Sequence, residues 1–101
     1  MAKDGIKAIN GLPDEIKQKL IEKYGSLEKY YAKLYKYGND YYNAFISKSE
    51  DGKSKYENLR FELAQELEDF GVTEGLDIVD EIWGDFDEDL LMSKYKSQGS
   101  L

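Results

Sequence analysis

Tyr56, Leu59, Leu63, Leu67 and Phe70 follow one another at intervals of three, four, four and three residues. That spacing commits the segment to a helix, because a period near 3.6 lines such side chains along one stripe, whereas a strand needs alternation. Ser54 followed by Glu57 has the form of a capping box, and Gly71 supplies a stop. The longest well-formed helix is therefore expected within residues 55–70, with Leu59, Leu63 and Leu67 inside. SEDGKS, from Ser49 to Ser54, reads as the loop before it.

The rest of the chain repeats this grammar in shorter pieces. Pro13 suits a first helical turn, Asp14 and Glu15 face the positive end of the helix dipole, and Ile16, Leu20, Ile21 and Tyr24 form a stripe that Gly25 ends. Ser26 can cap a helix with Leu27, Tyr30, Tyr31 and Leu34 inside and a stop at Gly38. Tyr30 and Tyr31 are neighbours and cannot both be fully enclosed. Asn39 or Asp40 can cap a third piece carrying Tyr41, Tyr42, Phe45 and Ile46. Thr73 can open a helix burying Leu76, Val79, Ile82 and Trp83. Gly84 interrupts it, and Asp85 with Glu88 can cap a last piece bearing a half-buried Phe86, then Leu90, Leu91 and Tyr95. Period-two runs are absent. The expected fold is all-α: a small irregular bundle of five or six short helices in a single domain. Residues 1–12 read as an irregular lead-in, 13–96 as the helical domain and 97–101 as a frayed tail.

The chain has 101 residues and neither Cys nor His. That excludes disulfides, thiol nucleophiles, imidazole bases and the usual zinc sites. No apolar run of signal-peptide length opens the chain, and none reaches the roughly eighteen residues of a membrane span. The expectation is a soluble, cytoplasmic protein with no membrane partner and no cofactor.

Charge is divided unevenly. Residues 1–60 carry twelve Lys or Arg against nine Asp or Glu, and residues 61–101 carry two against twelve. No basic residue lies between Arg60 and Lys94, while GVTEGLDIVDEIWGDFDED (residues 71–89) alone holds eight carboxylates. Such a run is either a solvated face or a surface that steers and docks a basic partner. Duplex nucleic acid carries one charge per roughly 1.7 Å of axis, and carboxylates along a helix can imitate that field while repelling nucleic acid itself. A weak divalent-ion cluster is the third reading of the run, but the match to a calcium loop of the EF-hand type fails. Asp85, Asp87 and Asp89 begin like a calcium loop, but Leu90 and Lys96 stand where it needs Gly and Glu. A carboxylate pair for glycoside hydrolysis can be drawn from any acidic chain and points to no catalytic residue.

Asp77, Asp80, Glu81, Trp83, Asp85, Glu88 and Asp89 are the leading candidates for a protein-binding face. Six of the nine tyrosines crowd into YYAKLYKYGNDYY, residues 30–42. There Tyr35, Tyr37 and Tyr41, with Lys29, Lys33 and Lys36, form the alternative face for a protein partner, a second copy or single-stranded nucleic acid. With a net charge of −7, direct nucleic-acid binding ranks last.

In size, acidity and helical character the chain resembles small inhibitors of phages and mobile elements. These include nucleic-acid-mimicking anti-restriction and anti-CRISPR proteins, and toxin-neutralising immunity proteins. The resemblance attaches to no particular residue. It implies a non-enzymatic protein, monomer or homodimer, that blocks a basic partner such as a nuclease or another nucleic-acid-binding protein. A structural or adaptor module using the Tyr/Lys face is the alternative.

Overall fold

The computed structural model describes residues 4–97, with side chains from 4 to 93. Five helices follow in order: α1 (Asp4–Asn10), α2 (Asp14–Tyr24), α3 (Leu27–Ile46), α4 (Glu50–Asp69) and α5 (Gly75–Ser97). No strand occurs among the described residues. The fold is an all-α, single-domain bundle, and α5 is its hub, packing against α1, α3 and α4. Its smallest extent is 22 Å, about two helix diameters. The core is therefore one seam between two helix layers, with no room for a large enclosed ligand.

The stripes that predict helices also fill that seam. Leu20, Tyr30, Leu34, Leu67, Val79 and Ile82 are fully enclosed, with Ile9, Ile16, Leu63 and Ile78 beside them. Leu59, Tyr56 and Phe70 are only partly covered. Tyr30 is enclosed and its neighbour Tyr31 is half-exposed, as their roughly 100° separation around a helix requires. Ser26 caps α3 by accepting the Lys29 amide at 3.0 Å. Gly25 (φ 101°) and Gly71 (φ 113°) are the left-handed stops after α2 and near the end of α4.

Four expectations from the sequence are overturned, each by a contact that local propensity does not contain. Gly38 does not end a helix. It is buried inside α3, and a Cβ there would lie 3.3 Å from Trp83 Cδ1, so the glycine lets α3 and the indole pack closely. Gly84 does not interrupt α5, which at 23 residues is the longest helix in place of the 55–70 segment. A mid-helix glycine costs about 1 kcal/mol relative to alanine, and the burial of Ile82 and Phe86 on either side of it offsets that. The SEDGKS loop is largely the first turn of α4. Ser49, not Ser54, is the cap, accepting the Gly52 amide at 3.1 Å.

The lead-in, finally, is not irregular from Asp4 on. A seven-residue helix is marginal by itself, and this one is held by tertiary contact. Gly5 and Ile9, one turn apart, are both buried. The start of α1 lies so close to α5 that a Cβ on Gly5 would stand 2.8 Å from the Ile82 backbone. Of the frayed tail expected at 97–101, Ser97 still belongs to α5, and the rest lies outside the described residues, as does the placement of the Tyr95 side chain.

Candidate docking face on the last helix

A continuous α5 fixes where its carboxylates point. At about 100° per residue, Asp77, Glu81, Gly84 and Glu88 fall on one line facing away from the core stripe of Val79, Ile82 and Phe86. Asp80 and Asp85 flank this line on opposite sides, Glu74 extends it just before the start of α5, and Asp4 joins it from the first turn of α1, beside the Gly5–Asp85 contact. Together they line an open concavity. Asp77, Glu81, Gly84 and Glu88 are exposed. Among the described residues, no atom outside the local helix backbone lies within 4 Å of a Cβ built on Gly84.

The structure divides the seven leading candidates. Asp77, Glu81 and Glu88 point outward together, and among the described residues they have no hydrogen-bond or ion-pair partner. Asp80 belongs to the same rim but is held by Arg60, which donates to its two oxygens at 2.6 and 2.7 Å. That fork is the bidentate geometry in which a guanidinium meets a carboxylate. The pair is half-exposed, and the Asp80 bond raises the Arg60 pKa further.

Asp85 does not point outward as expected. It is 2% exposed and accepts two hydrogen bonds at 2.9 Å, from the Gly5 amide and from the Tyr31 hydroxyl. Its role as a helix cap falls with the break at Gly84. It stands in mid-helix, one turn beyond Glu81 on the side that α1 covers. Asp89 also turns inward, accepting the Tyr35 hydroxyl at 2.6 Å. Trp83 lies on the far side of α5, among α3 aromatics. Tyr41 is its ring neighbour at 5.5 Å, and its Nε1 is enclosed with no hydrogen-bond partner among the described residues. Phe86, expected half-buried, is almost fully enclosed because α5 runs through without a break. The run Asp85, Asp87, Asp89 thus diverges around a helix. No group of three or more carboxylates among the described residues is placed to hold a metal ion.

The alternative face is not assembled as one surface. Lys29, Lys33 and Lys36 are exposed along one side of α3, but the tyrosines leave them. Tyr35 reaches α5 through Asp89, whereas Tyr41 donates to Glu57 of α4 at 3.0 Å. Tyr37 is half-buried against the core. The Tyr35 hydroxyl is pushed up to about 12 by burial, and further by its bond to Asp89. Tyr24, Tyr30 and Tyr31 are also raised, burial being the largest cause in each; Glu66 adds to it at Tyr24 and Asp85 at Tyr31. Lys33 stands over the Tyr24 ring at 5.5 Å from its centre.

Two contributors to the rim escaped sequence reasoning. Glu74 was visible within the acidic run, and only its distance from the main stripe hid it. Asp4 lies more than seventy residues away and reaches the rim through the docking of α1, which no local pattern signals. No helix among the described residues is long and apolar enough to cross a membrane. In comparison with known proteins, the chain matches no protein-family model, no curated protein and no solved structure.

Proposed function

We propose that the protein is a non-enzymatic binding protein that docks the outer ridge of α5 onto a basic protein surface of the kind that handles nucleic acid, and blocks it. The observation that carries this reading is the line Asp77, Glu81 and Glu88. These three exposed carboxylates have no partner among the described residues, with bare helix backbone at Gly84 between them. From Asp77 to Glu88 the ridge runs about 16 Å at the helical rise. It offers a basic groove the continuous negative field it meets on a nucleic-acid backbone.

Gly84 gives the ridge a second property. An exposed glycine in mid-helix costs about 1 kcal/mol, and no contact among the described residues asks for it. Its lack of a side chain lets a partner approach the helix backbone between two carboxylates.

Affinity capture from a cell lysate at low and high salt tests the reading, with duplex DNA as competitor. The expected catch is a basic nucleic-acid-handling protein that is released by salt and displaced by DNA. Recovery of acidic or metabolic proteins alone, indifferent to both, would sink the proposal.

A further inference from the structure

On the side of α5 away from α1, a groove of about 180 Å³ opens between this helix and α3, lined by Gly38, Tyr41, Tyr42, Phe45, Trp83 and Asp87. Its walls are aromatic. Phe45 at the rim is 59% exposed, although a phenylalanine on a bundle helix ordinarily faces the core. Asp87 is the acidic group in the lining. It is exposed, and no hydrogen bond or ion pair within the described residues engages it.

We propose that this groove anchors an arginine side chain of the basic partner, with the guanidinium against the aromatic walls and paired to Asp87; the proposal rests on the partner being basic. Aromatic faces attract cations, and arginine adds a plane that stacks and a fork that fits a carboxylate. Of the three cations on α4, two are held by carboxylates of the protein itself, and the third, Lys55, stands 5.4 Å from the centre of the Tyr56 ring. Arg60 is forked onto Asp80, and Lys53 pairs with Glu50 at 3.0 Å. Lys53 also stands 5.5 Å from the centre of the Phe45 ring, so this aromatic cluster already receives a cation on one side, while on the other no described residue pairs with Asp87. The groove and the ridge are neighbours on one helix. Asp87 precedes Glu88, and the two point about 100° apart, so a partner lying on the ridge can send one long side chain over its edge. Basic charge then gathers the partner on the ridge, and the groove selects arginine over lysine. That is the division between steering and anchoring found at protein interfaces.

Trp83 is the sole tryptophan of the chain, so tryptophan emission comes from a residue that lines this groove. The full chain is titrated at physiological salt with a blocked Gly-Arg-Gly tripeptide and with its lysine and citrulline counterparts. Arginine should change the emission saturably, lysine more weakly, and citrulline, the uncharged analogue, hardly at all. Asp87→Asn, checked for unchanged helicity, should weaken arginine binding about threefold to tenfold, the scale of one cation–π or ion-pair contact. Asp77, Glu81 and Glu88 reversed together to Lys should leave the preference for arginine over citrulline in place while abolishing partner capture. Equal responses to arginine and citrulline, no response to arginine, or an unchanged affinity in Asp87→Asn overturns the anchor. Capture that survives the triple reversal overturns the ridge reading, and the tripeptide arm is read separately.

Discussion

The Gly5 amide donates to Asp85 Oδ2 at 2.9 Å, joining the first turn of the first helix to the middle of the last. An N-terminal amide of a helix has no partner within that helix, and here a buried carboxylate from another helix supplies one. The contact is possible only because position 5 lacks a Cβ, which would lie 2.7 Å from Asp85 Oδ2 and 2.8 Å from Ile82 Cα. Backbone cannot step aside as a side chain can. Gly5→Ala is therefore expected to destabilise by about 1–3 kcal/mol, the range for overpacking, and to speed amide exchange in α1. A variant as stable as the parent, with α1 equally protected, would show that the two helices do not meet this closely.

Asp85 and Glu81 lie one turn apart on α5, yet they should respond oppositely to truncation. Asp85→Ala strands the buried Gly5 amide and releases the half-exposed Tyr31 hydroxyl, and losing the acceptor of a buried donor costs about 1–3 kcal/mol. Glu81→Ala touches an exposed group and should stay within about 0.5 kcal/mol of the parent. Denaturant melts of the two variants separate the carboxylate that builds the fold from the one left for a partner. Equal losses would mean that this division is wrong.

Alkali should unfold the protein through its tyrosines. The phenols of Tyr24, Tyr30, Tyr31, Tyr35 and Tyr41 are all raised above their usual value of 10.0. A group that holds its proton more tightly when folded contributes stability that is complete below the unfolded pKa and is lost as pH rises through the folded one. For Tyr35 that window runs from 10.0 to about 12. Phenolate absorbance should lag that of the chain in denaturant and rise together with loss of helicity. Ordinary, reversible ionisation of every tyrosine near pH 10 with the helices intact would contradict the packing around Asp85, Asp89 and Glu66.

Much of the fold is legible in the sequence because helical stripes and left-handed stops are local. The spacing of Leu63 and Leu67 and the glycines at 25 and 71 needed no tertiary information. The misreadings share a cause. Gly38, Gly84 and the 1–12 segment are set by what packs on them: Trp83 on Gly38, the core on either side of Gly84, and Asp85 with Ile82 on Gly5. Glycine as a breaker and glycine as a close-packing site look identical in a sequence. The site was half legible for the same reason. An acidic run marks a helix, but the inward turn of Asp85 and Asp89 depends on tyrosines more than fifty positions away.

Gly84→Ala should stabilise the free protein by about 0.5–1 kcal/mol, the usual gain where a glycine in a helix has room for a methyl. The larger Gly84→Leu should keep the fold and impair docking, because its side chain would rise between Asp77, Glu81 and Glu88. Thermal melts and capture assays on the pair decide this. A leucine variant that captures the partner as well as the parent does would show that nothing approaches the helix there.

Whether the outer ridge of α5 is the docking surface is decided by two triple variants used as bait. One reverses Asp77, Glu81 and Glu88 to Lys; the other reverses Lys29, Lys33 and Lys36 to Glu. Both sets are exposed, so the fold should survive in both, as it usually does when surface residues outside the core are changed. Affinity of the purified partner is then measured across a salt series. The ridge variant should lose at least about tenfold, a change of about 1.4 kcal/mol, with a flatter salt dependence, while the α3 variant binds nearly as the parent does. An unchanged affinity in the ridge variant, or a loss confined to the α3 variant, would contradict the account and leave α5 a solvated face.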